Sequence, residues 1–124
     1  MGIEVIYSMS LRKQYLRLAQ KAITLLEDSL QDNYVKAYLF GSVSKGKVKE
    51  DSDIDILLIG KEKKTICLLS RLSGLMDSIS NDIEINIVYF EYSVFKTFVI
   101  NKNNLFLNSI EKDCISKEVI NELL

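Results

Sequence analysis

The sequence FGSVSKGKVKEDSDIDI occupies residues 40–56 and links two apolar runs through a Gly-Ser turn and a charged loop. Gly41 permits backbone conformations that are closed to other residues and lets a ligand approach the main chain. Ser42 offers a hydroxyl and an N–H group to a phosphate. We expect residues 42–46 to form a short helix whose N-terminus faces an anion.

Two aspartates, Asp53 and Asp55, stand one residue apart at the start of the second apolar run. Because strand side chains alternate between faces, both should point to one face, with Cα atoms about 6.5–7 Å apart. Carboxylates this close repel each other unless a cation lies between them. Oxygen ligands beside a phosphate-sized turn suit Mg²⁺, so the stretch predicts a metal-dependent phosphate site.

The flanking residues predict an alternation of helices and strands. Apolar steps of three and four from Leu11 through Tyr15, Leu18 and Ala22 to Leu25 predict a helix over 10–30, with Arg12 and other basic residues on its solvated side. Residues 1–7 alternate too weakly to be assigned. Strands are predicted at 35–40, 54–59 and 83–90, and further helices over 65–80, 92–100, 104–110 and from Ser116 onward.

The order of these elements predicts where polar residues meet. The second and third strands are joined by a helix, which favours parallel strands and a right-handed crossover. Their N-terminal ends then lie together, which brings Glu84 or Asn86 beside the two aspartates. If the first two strands are antiparallel, the Gly-Ser turn lies at the same edge. The expected class is α/β in the broad sense (α+β), with helices packed on a small mixed sheet.

Composition narrows the range of functions. The 124 residues suit one domain spanning 1–124, and 48% apolar with 27% charged content is ordinary for a soluble protein. A net charge of −1 argues against a broad nucleic-acid binder. With two cysteines and no histidine, a zinc site is not expected, and reduced thiols indicate a cytoplasmic protein. No apolar run is long enough for a membrane helix, and the start does not look like a signal peptide.

Two other interpretations of the stretch are weaker. Residues 41–47 match most of a phosphate-binding P-loop, but Val48 stands where Ser or Thr should hold Mg²⁺. An acidic pair can also be a solvated turn. That interpretation does not explain why Asp55 lies inside an apolar run, where an unpaired charge is costly.

The motif resembles that of the DNA polymerase beta-like nucleotidyltransferase superfamily, in which Gly-Ser is followed after about ten residues by Asp-x-Asp. Here the ten residues 43–52 separate Gly41-Ser42 from Asp53-Ile54-Asp55. The chain is most similar to the minimal nucleotidyltransferases, which are often encoded beside a helical HEPN partner. It departs from their Gly-Ser-x-Ala-Arg-Gly pattern at Ser44 and Lys45.

This resemblance implies a nucleotidyltransferase fold and a set of site residues. Asp53 and Asp55 would hold two Mg²⁺ ions and act as catalytic residues. Phosphates of an NTP, most simply ATP, would lie against Gly41, Ser42, Lys45 and Lys47. The family usually has a third carboxylate on the third strand. The family register points to Asn86, which cannot accept a proton, whereas Glu84 on the same face can; we favour Glu84 as the third catalytic and metal-binding residue.

The resemblance also implies a range of substrates and partners. The acceptor of the nucleotidyl group would be a hydroxyl of a protein tyrosine, a small molecule or an RNA end. A HEPN-type protein is the expected partner, with an antitoxin role, and a homo-oligomer is compatible with the sequence. The alternative is a catalytically weak or inactive nucleotide-binding module that acts by binding its partner.

Overall fold

The structure, a computed structural model, describes residues 3–80, 82–101, 107–108 and 111–124. In these residues a small mixed sheet carries packed helices, which confirms the expected class. The predicted helix over 104–110 falls mainly outside the described residues. The elements are, in chain order, α1 (Ile3–Leu30), β1 (Tyr34–Phe40), β2 (Ile54–Gly60), α2 (Ile66–Asp77), β3 (Ile85–Glu91), α3 (Tyr92–Asn101) and α4 (Lys117–Leu123).

The sheet has the predicted topology. Its order is β1-β2-β3, with β1 antiparallel and β3 parallel to β2. In this register Phe40 on β1, Asp55 on β2 and Asn86 on β3 stand side by side in one row. The end of β1 and the beginnings of β2 and β3 therefore share one edge of the sheet.

The two faces of the sheet are covered differently. On one face Leu39, Ile56 and Leu58 are fully buried in the main core, which α1, α2 and α4 complete. The opposite face carries Asp55 and then a smaller apolar cluster around Phe40 and Leu57. The polar site consequently lies on the face that has the smaller core.

Helix α1 is longer than predicted and is rotated relative to the expectation. It begins at Ile3, because no glycine or proline interrupts residues 3–9 and extending an existing helix adds one hydrogen bond per residue. The expected series from Leu11 to Leu25 forms one flank of the buried side. Its centre is a second series with the same spacing, namely Leu16, Ala19, Ile23, Leu26 and Leu30. Both series suit a helix, and only docking against the sheet selects between them.

The end of the described chain returns to the first strand. Ile115 forms an isolated antiparallel bridge with Leu39, with two backbone hydrogen bonds of 2.8 Å. Ser116 then accepts a hydrogen bond from the Val119 N–H and caps α4, as its position before that helix predicted. Among the described helices, including α1, none combines the length and apolarity needed to cross a membrane.

Candidate nucleotide and metal site

The Gly-Ser turn after β1 folds back over the polar edge of the sheet. The Lys45 N–H bonds to the Gly41 carbonyl (3.3 Å) and the Lys47 N–H to the Ser42 carbonyl (2.9 Å). The expected short helix over 42–46 is therefore wrong: the segment makes only a turn. Gly46, at a φ of +76°, ends it in a conformation that side chains disfavour.

Gly41 is the point where the turn touches the sheet. Its φ is +81°, and a Cβ placed on it would lie 2.5 Å from the Asp55 Oδ2 atom. Both the backbone conformation and the space beside the carboxylate therefore require glycine. The Ser44 hydroxyl donates to the Gly41 carbonyl (2.8 Å) and reinforces this arrangement.

The two aspartates lie where the motif predicts. Asp53 immediately precedes β2 and Asp55 is its second residue, and both are half-buried. Burial raises the pKa of the Asp55 carboxyl group. The hydrogen bond from Asn86 partly opposes this rise in pKa, and the nearby Asp53 charge adds to it. The two aspartates therefore form a negative, partly desolvated site. No cationic side chain contributes to the pKa shift of Asp55.

The two candidates for the third metal-binding residue, Asn86 and Glu84, lie at different places relative to Asp55. Asn86 lies opposite Asp55 in the parallel register, and its Nδ2 donates to Asp55 Oδ1 at 3.4 Å. Glu84 precedes β3, and its carbonyl accepts the Ile54 N–H (2.9 Å) while the residue is exposed. In the described chain no three Asp, Glu or Cys side chains converge as a ready metal cluster. The assignment of Glu84 to the metal site stays a prediction.

The two candidate phosphate-binding lysines differ in their contacts. Lys45 forms an ion pair with Asp113 (3.6 Å), and both side chains are partly exposed. Lys47 lies exposed at the end of the turn. An exposed pair of this kind contributes little to stability, so Lys45 can exchange Asp113 for a phosphate at small cost.

Arg12 supports the turn from α1 and was missed by sequence reasoning, which assigned it to the solvated side. Its guanidinium donates to the Val43 carbonyl (3.4 Å) and the Ser44 carbonyl (3.2 Å), and it packs beside Gly46. A signal was available: Arg12 continues the Leu16-Ala19-Ile23 series by one step of four toward the N-terminus. A charged residue in line with a buried series is expected to meet polar groups.

Tyr15, one turn further along α1, contacts the second half of the segment between β1 and β2. Its hydroxyl donates to the Glu50 carbonyl (3.1 Å). Burial raises the pKa of the Tyr15 hydroxyl group, and the Asp51, Asp53 and Glu50 charges add to that rise. The hydroxyl therefore stays protonated and remains a donor. Arg12 and Tyr15, on one face of α1, thus bond to both halves of the segment between β1 and β2.

We expect Asp55→Asn to stabilise the ligand-free protein near neutral pH. A carboxyl group whose pKa is raised on folding lowers stability as pH rises above its unfolded value, 3.8, because the unfolded state loses its proton first. The gain in urea midpoint should shrink toward zero in acid, where both states are protonated. Asp51→Asn, at an exposed loop position, is the control. A loss of stability at neutral pH would contradict this account of Asp55.

We expect Arg12→Met to loosen the turn. It removes two hydrogen bonds from a charged donor, each worth about 1.5–3 kcal/mol. Hydrogen exchange at the Lys45, Gly46 and Lys47 amides should become faster. Arg17→Met, at an exposed position of the same helix, is the control. Equal exchange in both variants would show that Arg12 does not hold the turn.

Comparison with known proteins agrees with this geometry. The chain is similar to a solved structure from Sulfolobus solfataricus that is provisionally assigned as a nucleotidyltransferase, with 21% identity, a TM-score of 0.54, and coverage of 94% of this chain and 87% of that one. A second solved structure, provisionally assigned as a minimal nucleotidyltransferase, shares 24% identity at a TM-score of 0.50, covering 83% and 93%. These likenesses show the fold. No curated protein matches significantly.

The profile of the polymerase beta nucleotidyltransferase family matches residues 20–112, a span that includes the turn, both aspartates and β3. The match covers most of the chain, which therefore belongs to the polymerase beta nucleotidyltransferase family.

Proposed function

We propose that this protein is a Mg²⁺-dependent nucleotidyltransferase that moves a nucleoside monophosphate, AMP from ATP in the simplest case, to an acceptor hydroxyl. One observation carries the proposal: the Gly41 backbone closes directly over the Asp55 carboxylate, so closely that a Cβ on residue 41 would lie 2.5 Å from Asp55 Oδ2. The proximity of the Gly-Ser turn to the carboxylate pair supports a site in which the turn would bind phosphate and the carboxylates would bind metal.

The residues present fit Mg²⁺. Asp53 and Asp55 supply hard oxygen donors, and the raised pKa of Asp55 reflects a desolvated carboxyl group that a cation would stabilise as its anion. Two ions would be held by these aspartates, with Glu84 or Asn86 as the third position. Bound there, Mg²⁺ supplies Lewis-acid stabilisation of charge on the transferred phosphoryl group and on the departing pyrophosphate.

The remaining residues bind and orient the nucleotide. Among the described residues the Ser42 hydroxyl has no hydrogen-bond partner, so it can donate to a β or γ phosphate. Lys45 and Lys47 add positive charge at the same turn. The acceptor oxygen forms a bond to the α-phosphorus as the bond to the bridging oxygen breaks. Pyrophosphate leaves, and Glu84 is the candidate to receive the hydroxyl proton.

We extend the proposal to an acceptor and a partner on the basis of the resemblance to the minimal nucleotidyltransferases. A tyrosine hydroxyl of a HEPN-type partner is the acceptor we favour, with transfer serving an antitoxin role. The other candidate acceptors are a hydroxyl of a small molecule and a hydroxyl of an RNA end. Because the net charge is −1, extended binding to a nucleic-acid backbone is the least favoured way to present the acceptor.

We expect the double change Asp53→Asn with Asp55→Asn to lower nucleotidyl transfer about 100-fold or more, because metal stabilisation of the reacting phosphoryl group supplies several kcal/mol. Transfer from radiolabelled ATP and calorimetric binding of ATP with Mg²⁺ provide the two measurements. Asp51→Asn with Asp82→Asn, at two exposed positions, is the matched control. Unchanged ATP affinity in the double variant would contradict the metal site.

A second candidate function is nucleotide binding without transfer, in a module that acts by masking its partner. It is favoured by Asn86, an amide in direct contact with Asp55 where the family usually has a carboxylate. An amide neither neutralises metal charge nor accepts a proton, so the chemistry would be slow while ATP binding persists.

Changes at Glu84 and Asn86 separate the two candidates. If Glu84 is the third acidic residue, Glu84→Gln should lower transfer by about 100-fold, the scale of a lost general base, while ATP binding remains. If Asn86 holds the position, Glu84→Gln should change little and Asn86→Asp should raise transfer. Glu62→Gln, at a carboxylate that pairs with Arg71 away from the site, is the control.

A further inference from the structure

The outer edge of β3 is an open strand edge in the described part of the chain. β3 lies at one end of the sheet order, and no other described segment pairs with its outer side. Its sequence INIVYFE has no proline and no charge before Glu91, and its pairing with β2 has no bulge. Native proteins usually block such an edge with charges, prolines, bulges or a covering segment, because an open edge pairs readily with another chain.

The opposite edge of the sheet, along β1, does carry these forms of protection. Lys36 lies within β1, and the pairing of β1 with β2 is irregular between Tyr34 and Lys36. Ile115 also bridges Leu39 from the outer side. By contrast, only Tyr89 is buried among the seven residues of the largely apolar β3. The lack of protection is therefore specific to the β3 edge.

The strand register shows which backbone groups of this edge are free. The Ile54 N–H donates to the Glu84 carbonyl, so in a parallel ladder the even-numbered residues of β3 bond to β2. The N–H and C=O groups of Ile85, Ile87 and Tyr89 therefore point away from the sheet. Within the described residues these groups have no backbone partner. A row of such groups is the surface on which a further strand adds.

The apolar surface beside this edge is also incompletely covered. A cavity of about 210 Å³ lies between α2 and the start of β3, where Leu69, Ser73, Ile85 and Ile87 contribute to its lining. Leu69 is one of the large apolar side chains that remain exposed. A sheet that continued beyond β3 would cover this surface, so it would gain apolar burial as well as backbone hydrogen bonds.

The two ends of the edge carry opposite charges. Asp82 and Glu84 precede β3, whereas Lys63 and Lys64 line a depression beside its far end. All four side chains are exposed, and none of them forms an ion pair within the described residues. Glu91 lies at the basic end and leaves it with one net positive charge. An identical strand in antiparallel orientation would set each acidic end against a basic end.

We propose that two copies of this chain associate through antiparallel pairing of their β3 strands, which joins the two sheets into one of six strands. This dimer does not depend on the proposed function. A two-fold axis beside Val88 overlaps all seven residues of both strands and sets Ile87 opposite Tyr89 of the other copy. One surface then serves both copies, as a symmetric dimer requires.

Charge reversal tests the orientation of the pairing. Lys63→Glu with Lys64→Glu makes both ends of the edge acidic. Asp82→Asn with Glu84→Lys makes both ends basic, and asparagine suits the φ of +62° at position 82. Sedimentation velocity over a range of protein concentrations measures dimerisation, and circular dichroism checks that each variant is folded.

We expect each variant alone to dimerise at least tenfold more weakly than the native chain, because like charges then meet at both ends. An equimolar mixture of the two variants should form mixed dimers, in which every acidic end meets a basic end. Lys13→Glu with Arg17→Glu, on the exposed side of α1, makes the same change in net charge and is the matched control. It should dimerise like the native chain.

Amide hydrogen exchange, followed by NMR, tests the strand pairing itself. The Asn86 and Val88 amides point toward β2 and should exchange slowly at every protein concentration. The Ile87 and Tyr89 amides point outward. They should exchange rapidly in the dilute monomer and slowly in the concentrated dimer.

A chain that stays monomeric at all concentrations overturns the proposed dimer. So does a dimer that the α1 control weakens as strongly, or a mixture of folded variants that forms no mixed dimers. A dimer whose Ile87 and Tyr89 amides still exchange rapidly would associate through another surface. Slow exchange of these two amides in the monomer would show that another part of the chain covers the edge, which also overturns the proposal.

Discussion

The Asp55 carboxylate lies against the bare backbone of Gly41. The strand register and the contacts of the turn hold these two residues together. The antiparallel register of β1 and β2 brings the end of β1 beside Asp55, so that the turn must reverse over the carboxylate. A half-buried carboxyl group with a raised pKa does not stabilise the fold by itself. The proposed metal binding would explain the presence of this carboxyl group inside an apolar strand, because local rules of foldability are typically broken at functional sites.

The topology and the aspartate pair could be predicted because their signals are local or follow general rules. Alternation places Asp53 and Asp55 on one face, and a helical crossover makes β2 and β3 parallel. Arg12 was assigned wrongly because two apolar series with the same spacing overlap on α1, and packing against the sheet selects the one that contains it. The turn over 42–46 was predicted as a helix because Gly46 ends it through a backbone angle that the sequence does not specify.

The choice between Glu84 and Asn86 as the third metal-binding residue could not be made from the sequence. Alternation puts Glu84 and Asn86 on one face, but it does not say where the strand begins. Since β3 starts at Ile85, Asn86 lies within the ladder and reaches Asp55, whereas Glu84 lies before it at the exposed edge. The difference of two residues separates an amide that orients a carboxylate from a carboxylate that can accept a proton. The proposed chemistry therefore depends on where β3 begins, and strand ends are the least predictable part of an element.

The short bridge between Leu39 and Ile115 has a kinetic consequence for the order of folding. The neighbouring Asp113 pairs with Lys45 in the turn, and Cys114 packs against the smaller apolar cluster around Phe40 and Leu57. These contacts join segments that are far apart in the chain, so their formation carries a large loop-closure cost. The α1 helix and the β2-α2-β3 unit involve shorter separations and should form earlier. Helix α4 follows segment 113–115 in the chain and contributes Ile120 to the main core, so during synthesis the contacts on the turn and the last part of the main core should form together, after the β2-α2-β3 unit.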